Sequence, residues 1–198
     1  MLFRGEVAST PHRFSASEGF VERLEGEERR RAIPVERILP ILQLSRSTTL
    51  LDIGAGIGYF SIPISKEIKS VIALDLEPKM FEVLSGRIES LGVSNIHLLR
   101  GDMLSLPLAD GFVDHVFAAF VYHEVASTSK LIHECCRVLR SHGRLTILDF
   151  QKKETGIGPP VSERKTPAQV LRAVSGKFKL LSRTDEDIYY ILNLAKVS

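Results

Sequence analysis

Residues 49–58 read Thr49-Leu50-Leu51-Asp52-Ile53-Gly54-Ala55-Gly56-Ile57-Gly58. An apolar run of strand length ends in three glycines at alternate positions, with an acid just inside it. Glycine accepts backbone angles that a Cβ forbids, so a strand running into Gly54, Gly56 and Gly58 can turn sharply and let a ligand lie against bare backbone. A helix that follows such a turn aims free N–H groups at whatever sits there. The segment therefore predicts a βα turn that binds a nucleoside-like ligand, with a plain tight turn as the other reading.

Outward from this turn the pattern alternates. Val35, Ile38, Leu39 and Leu42 fall at helical spacing behind Pro34, which suits a first turn, and predict a helix over 34–44 that packs on the sheet. After strand one (49–53) a helix over about 59–68 buries Phe60, Ile64 and Ile68, with Pro63 bending it. Strand two is 71–75. The next helix opens at Glu77-Pro78, carries Met80, Leu84, Ile88 and Leu91 on one face and stops at Gly92. Strand three spans 96–100, strand four 113–119, a helix 127–140 ended by Gly143, and strand five 144–150. Strand five is almost unbroken in apolarity, as in a parallel sheet buried on both faces. This is βαβαβ alternation, an α/β fold with a doubly wound sheet and its ligand at the carboxyl ends of the strands. After a helix over 167–175, two β-like runs, 178–182 and 188–197, flank the polar turn Thr184-Asp185-Glu186-Asp187 and read as an antiparallel hairpin.

The glycine spacing separates two cofactor classes. A dinucleotide fingerprint, G-x-G-x-x-G, needs a glycine at 59, where this chain has Tyr59. The form present, acid-x-G-x-G-x-G, resembles motif I of the class I S-adenosylmethionine-dependent methyltransferases of the small-molecule "type 11"-like kind. Leu131 to Leu145 also resembles that family's helix and turn before strand five, acid-x-x-Arg-Val-Leu-x-x-Gly-Gly, with Glu134, Arg137-Val138-Leu139 and Gly143 matching and His142 in place of the first glycine. The resemblance covers about residues 34–150. It implies a Rossmann-like, seven-stranded, mostly parallel sheet closed by an antiparallel C-terminal hairpin. It also implies S-adenosyl-L-methionine as cofactor.

Candidate site residues follow. Asp75, at the end of strand two, can accept from both hydroxyls of a ribose, or can cap the helix beginning near Pro78. In Arg100-Gly101-Asp102-Met103, an Asp side chain and the next backbone N–H complement the donor and acceptor on an adenine edge. The resemblance implies that Asp102 and Met103 fill that role, and that the backbone at Ala119 lies beside the methionine amino group. The expected cofactor contacts are thus Asp52, Gly54, Ala55, Gly56, Gly58, Asp75, Leu76, Asp102, Met103 and Ala119, with no metal site. Within Phe120-Val121-Tyr122-His123-Glu124, His123 is the candidate general base, with Glu124 or Tyr122 as helpers; a structural role for His123 is the competing reading.

Composition narrows the partners. The chain has 198 residues, 44% of them hydrophobic and 25% charged, with a formal net charge of +2, too small to point to nucleic acid. No apolar run reaches the ~20 residues of a membrane span. Cys135 and Cys136 are adjacent in a helical pattern, where side chains diverge, and read as thiols of a reducing, cytoplasmic compartment. The run Arg29-Arg30-Arg31 sits beside Glu25, Glu27 and Glu28 and reads as an exposed helix surface rather than a phosphate site. Residues 1–198 are expected to form one domain: a helical segment over 1–46 able to serve as a lid, and a cofactor-binding core over 47–198. The expected activity is methyl transfer to a small-molecule acceptor by in-line displacement. A non-catalytic cofactor-binding protein and an NAD-dependent oxidoreductase remain alternatives, and oligomeric state is open.

Overall fold

A computed structural model describes residues 26–197; the expected N-terminal segment before Gly26 lies outside the described residues. Two short helices, α1 (Glu27–Ala32) and α2 (Val35–Leu42), precede the glycine-bearing strand β1 (Thr49–Ile53). Then follow α3 (Ser61–Ser65), β2 (Ser70–Asp75), α4 (Pro78–Ser90), β3 (Ile96–Arg100), β4 (Val113–Ala119), a 3-10 turn at Tyr122–Glu124 and α5 (Thr128–Val138). The chain ends with β5 (Leu139–Phe150), α6 (Pro167–Val174), β6 (Phe178–Asp185) and β7 (Tyr189–Lys196). The strands form one seven-stranded sheet in the order β3-β2-β1-β4-β5-β7-β6. Strands β1 to β5 pair in parallel and β7 runs antiparallel to both β5 and β6.

The order reverses beside β1 and β4, which puts the ends of β1, β2 and β4 around one crevice. Two apolar layers cover the sheet. One holds Ile38 and Leu42 of α2 with Leu50, Phe117, Leu148 and Ile191; the other holds Leu131, Cys135 and Val138 of α5 with Leu51, Val116 and Leu145. Cys135 is buried, as its position on the core face predicts, and burial pushes its thiol pKa up. Both cysteines are free.

Three element boundaries depart from the sequence reading. Helix α3 is shorter than 59–68: Pro63 supplies no N–H, and beyond it Lys66 donates to Pro63 and Glu67 to Ile64, a tighter three-residue step. Helix α5 stops at Val138, and Gly143 does not end it. Leu139 is fully buried and already pairs with Val113, whereas His115 pairs with Arg144, so residues 140–143 bulge out opposite Asp114. His142 takes φ +64 in that bulge, the left-handed region that explains the glycine usual there in the resembling family. Leu91, expected on the apolar face of α4, is 60% exposed. The hairpin turn is also narrower than expected, because β6 continues through Asp185.

Candidate active site

The carboxyl ends of β1, β2 and β4 open on a cavity of about 1210 Å³. Of the expected residues it is lined by Gly54, Gly56, Asp75, Leu76, Asp102, Met103, Ala119 and His123. Gly56 has φ +54, and a Cβ on it would meet nothing nearer than the Gly54 carbonyl at 4.0 Å, so it presents bare backbone to the cavity. Asp52, Ala55 and Gly58 do not line it. Asp52 is 2% exposed and accepts a 2.5 Å bond from the Ser61 hydroxyl; burial, with a smaller push from Asp75 and against that hydrogen bond, raises its pKa to about 7. Gly58, at φ +80, is needed for packing, since a Cβ there would collide with Leu84 Cδ1 of α4. Ala55 is buried in the layer with Phe60 and Ile64.

Asp75 does not cap the first turn of α4, whose N-cap residue is Glu77; it braces the turn before the helix and keeps the ribose role available. Its Oδ1 accepts from the Glu77 N–H at 2.9 Å and its Oδ2 from the Gly56 N–H at 2.8 Å. Each oxygen retains a lone pair, and the carboxylate ties the glycine turn to the start of α4. Asp102 accepts from the Leu104 N–H at 2.8 Å, which holds the loop after β3 in a turn while its carboxylate stays exposed at the cavity. These two acids stand at the ends of neighbouring strands, spaced by the sheet.

On the opposite wall, His123 meets a residue that sequence reading did not assign. Asp149 of β5 is 1% exposed; its Oδ1 lies 2.7 Å from His123 Nδ1 and its Oδ2 accepts the His123 backbone N–H at 2.9 Å. Because Asp149 accepts, Nδ1 carries the proton, and Nε2 is left 3.5 Å from Glu124 Oε1. Burial lowers the His123 pKa, but the hydrogen bonds and charges of Asp149 and Glu124 together outweigh it and raise the pKa to about 9. Tyr122 turns into the core instead of towards His123's free nitrogen. The only available sign of Asp149 was an acid inside an otherwise apolar strand, since partners 26 positions apart meet only through the pairing of β4 with β5.

Aromatic rings complete the wall. Phe120, which immediately follows β4, holds φ +57, costly for a bulky residue, and packs 4.5 Å from Phe150 between ring centroids. Phe150 in turn lies against His123. Beyond Phe150, the loop containing Gly156 to Pro159 closes the cavity. It is organised by the buried Arg164, whose guanidinium donates to the carbonyls of Gln151, Lys153, Ile157 and Pro159. No group of acids, histidines and cysteines suited to a metal occurs among the described residues.

A sheet of this order with its cavity at the glycine turn is the methyltransferase variant of the doubly wound fold, with β7 antiparallel where dinucleotide-binding sheets keep a parallel sixth strand. The methyltransferase domain family model matches residues 51–147, nearly half of the chain, and with the likenesses below supports a class I S-adenosylmethionine-dependent methyltransferase. A solved S-adenosylmethionine-dependent methyltransferase from Aquifex aeolicus superposes with a TM-score of 0.83 at 25% identity, over 89% of this chain and 97% of that one. The malonyl-[acyl-carrier protein] O-methyltransferase of Methylococcus capsulatus is 37% identical over 103 residues, 51% of this chain and 37% of that protein. The ubiquinone/menaquinone biosynthesis C-methyltransferase of Haemophilus ducreyi is 33% identical over 118 residues, 58% of this chain and 44% of that protein. The chain thus spans less than half the length of these two curated relatives. Among the described residues no helix is long and apolar enough to cross a membrane.

Proposed function

We propose that this protein transfers the methyl group of S-adenosyl-L-methionine to a small-molecule acceptor. The observation that carries the reading is a single cavity that joins the bare backbone of Gly56, the acids Asp75 and Asp102, and the His123–Asp149 pair. When bound, the cofactor supplies a methyl group already activated on a sulfonium. Asp75 would take the ribose hydroxyls on its free lone pairs, Asp102 and the Met103 N–H the adenine edge, and the backbone at Ala119 the amino-acid portion, with Leu76 packing beside the ribose. Asp52 and Gly58 support the turn from behind.

The protein's part in an in-line displacement is to align the acceptor and exclude water. Phe120 and Phe150 make the acceptor side apolar, and the 151–160 loop and α1, one part of the expected lid, border it. His123 Nε2 would take the acceptor's proton, with Asp149 holding the ring and its tautomer. Beside a bound sulfonium the His123 imidazolium would be disfavoured by like charge, which favours the basic form of the ring. The names of the curated relatives specify an O- and a C-methyl transfer, so neither supports one acceptor atom for this chain. The small net charge supports a metabolite over nucleic acid, and the adjacent, unpaired cysteines support a cytoplasmic site of action.

The test is formation of S-adenosylhomocysteine from S-adenosylmethionine with a panel of phenols, amines, carboxylic acids and activated-carbon acids. Product formation that depends on one acceptor class supports transfer. Cofactor binding without product across the panel favours a sensor, and preferential thermal stabilisation by NAD favours an oxidoreductase.

A further inference from the structure

Glu124 lines the same cavity as His123, its side chain is 30% exposed, and its Oε1 stands 3.5 Å from His123 Nε2. The nitrogen that would meet an acceptor is therefore shared with a carboxylate that solvent and ligand can reach. Asp149 places a second carboxylate behind the ring, and α1 adds Glu27 and Glu28 to the lining, Glu27 paired with the exposed Arg31 at 2.7 Å. The cation on this side is Arg29, whose Cζ packs 5.3 Å from the ring centroids of both Tyr59 and Phe120 and whose Nε is enclosed. Arg100 lines the other end, where β3 stops. Negative charge thus dominates where an acceptor would meet the base. His123 registers that field, since Asp149 and Glu124 hold a proton on it against burial. The rest of the wall is apolar, with Phe120 and Phe150 at 4.5 Å between ring centroids and Ile157 and Pro159 from the loop after β5.

That charge separates the acceptor classes. Phenols, carboxylic acids and carbon acids become anions on giving up a proton, and an anion beside Glu124 and Asp149 is disfavoured by like charge. An amine alone arrives as a cation and leaves as one. We propose that the acceptor is a primary or secondary amine on an apolar body, bound as its ammonium by Glu124 with its carbon part against Phe120 and Phe150. This deepens the methyl-transfer function proposed above and rests on it. The ammonium gives one proton to neutral His123 Nε2; the lone pair so freed forms the N–C bond while the C–S bond breaks and leaves its pair on sulfur. Positive charge moves from sulfur to nitrogen, where Glu124 faces it, so the carboxylate acts on charge that develops in the transition state. The imidazolium then returns its proton to solvent. A like-charged sulfonium nearby favours the ammonium's loss of that proton.

Calorimetry near neutral pH, on the protein saturated with S-adenosylhomocysteine, compares benzylamine, phenethylamine and hexylamine with the alcohol of the same skeleton and with benzoate. At least one amine should bind about tenfold or more tightly than its alcohol, as a charge-assisted hydrogen bond provides, and benzoate more weakly than either. Glu124→Gln should bring that amine and its alcohol within about twofold of each other and leave S-adenosylhomocysteine affinity the same. On the wild type, the NMR signal of the Glu124 carboxyl carbon should move saturably with the amine and not with the alcohol, which decides the assignment even where Glu124→Gln fails to fold. Should S-adenosylhomocysteine not bind, the methyl-donor reading fails, and the same ranking on the free protein still decides for or against an ammonium site at Glu124. Failure of all three amines to bind, alcohols or benzoate binding as tightly as the amines, or an amine preference that survives Glu124→Gln overturns the proposal.

Discussion

At His123 burial opposes two carboxylates, and the carboxylates win: the ring sits near pKa 9 between Asp149 and Glu124. A base must be neutral to act, so turnover should rise with pH and level off once the imidazole is deprotonated in the donor complex. His123→Asn should lower turnover by about 10²–10⁴-fold, the usual span for a positioned base, and leave S-adenosylmethionine affinity nearly unchanged. An unaltered rate with the true acceptor removes His123 from the chemistry. Asp149→Asn takes away the charge that holds the imidazolium, so the pH–rate profile should move to lower pH while the fold persists. Asp75 tests the other end of the cavity. Asp75→Ala deletes charge-assisted bonds worth about 1.5–3 kcal/mol, or roughly ten- to a hundred-fold in affinity measured by titration calorimetry. Asp75 was legible in the sequence as the acid ending strand two. Asp149 was not, because nothing in the spacing of a buried apolar strand says which residue faces a turn 26 positions away.

Elements decide how rigid the cavity is. The loop after β5 has little apolar content, yet Arg164 holds it through a set of carbonyl acceptors and stands over the Phe150 ring at 5.3 Å. Arg164→Met leaves those buried carbonyls without donors, each a loss of about 1–3 kcal/mol before relaxation. Limited proteolysis should then cut within 151–160, where the wild type resists, and the melting temperature should fall. The glycine turn makes the opposite demand. At Gly58, Ala must accept φ +80 and displace Leu84, so Gly58→Ala should destabilise by about 1–3 kcal/mol in urea unfolding, although residue 58 does not line the cavity. Periodicity located nearly every element. It misplaced the end of α5 because helical pattern continues past Val138, while β4 claims Leu139 for the sheet.

Across the whole molecule, two buried histidines give pH dependences of opposite sign. His115 donates to Thr146 Oγ1, which donates to Asn193 Oδ1, and Asn193 donates onward to the Ile41 carbonyl, joining β4, β5, β7 and α2. Burial, helped by Arg144, lowers the His115 pKa to about 3, so the fold holds it neutral. The unfolded chain takes up that proton first as pH falls below about 6.5, and stability contributed by this site is lost from there towards pH 3. His123 is raised to about 9, so its contribution is complete below about 6.5 and is lost as pH rises through 9. Urea midpoints measured from pH 6 to pH 10 should therefore fall on the alkaline side for the wild type and stay flatter for His123→Asn. Parallel curves for the two proteins would show that the Asp149 pairing does not stabilise the fold.

What the sequence by itself determined is what short-range physics encodes: the strand–glycine turn, the alternation that makes a doubly wound sheet, the terminal hairpin, and the acids that end β2 and follow β3. These follow from local backbone freedom and from hydrophobic period, both readable within a few residues. Tertiary structure alone decided the rest. It turned Asp52 and Gly58 away from the cavity, brought Asp149 to His123, folded Arg29 out of a charged run onto Tyr59 and Phe120, and let Arg164 set the loop after β5. Each of those contacts joins residues whose separation along the chain carries no period, so only the register of the sheet and the packing upon it could select them.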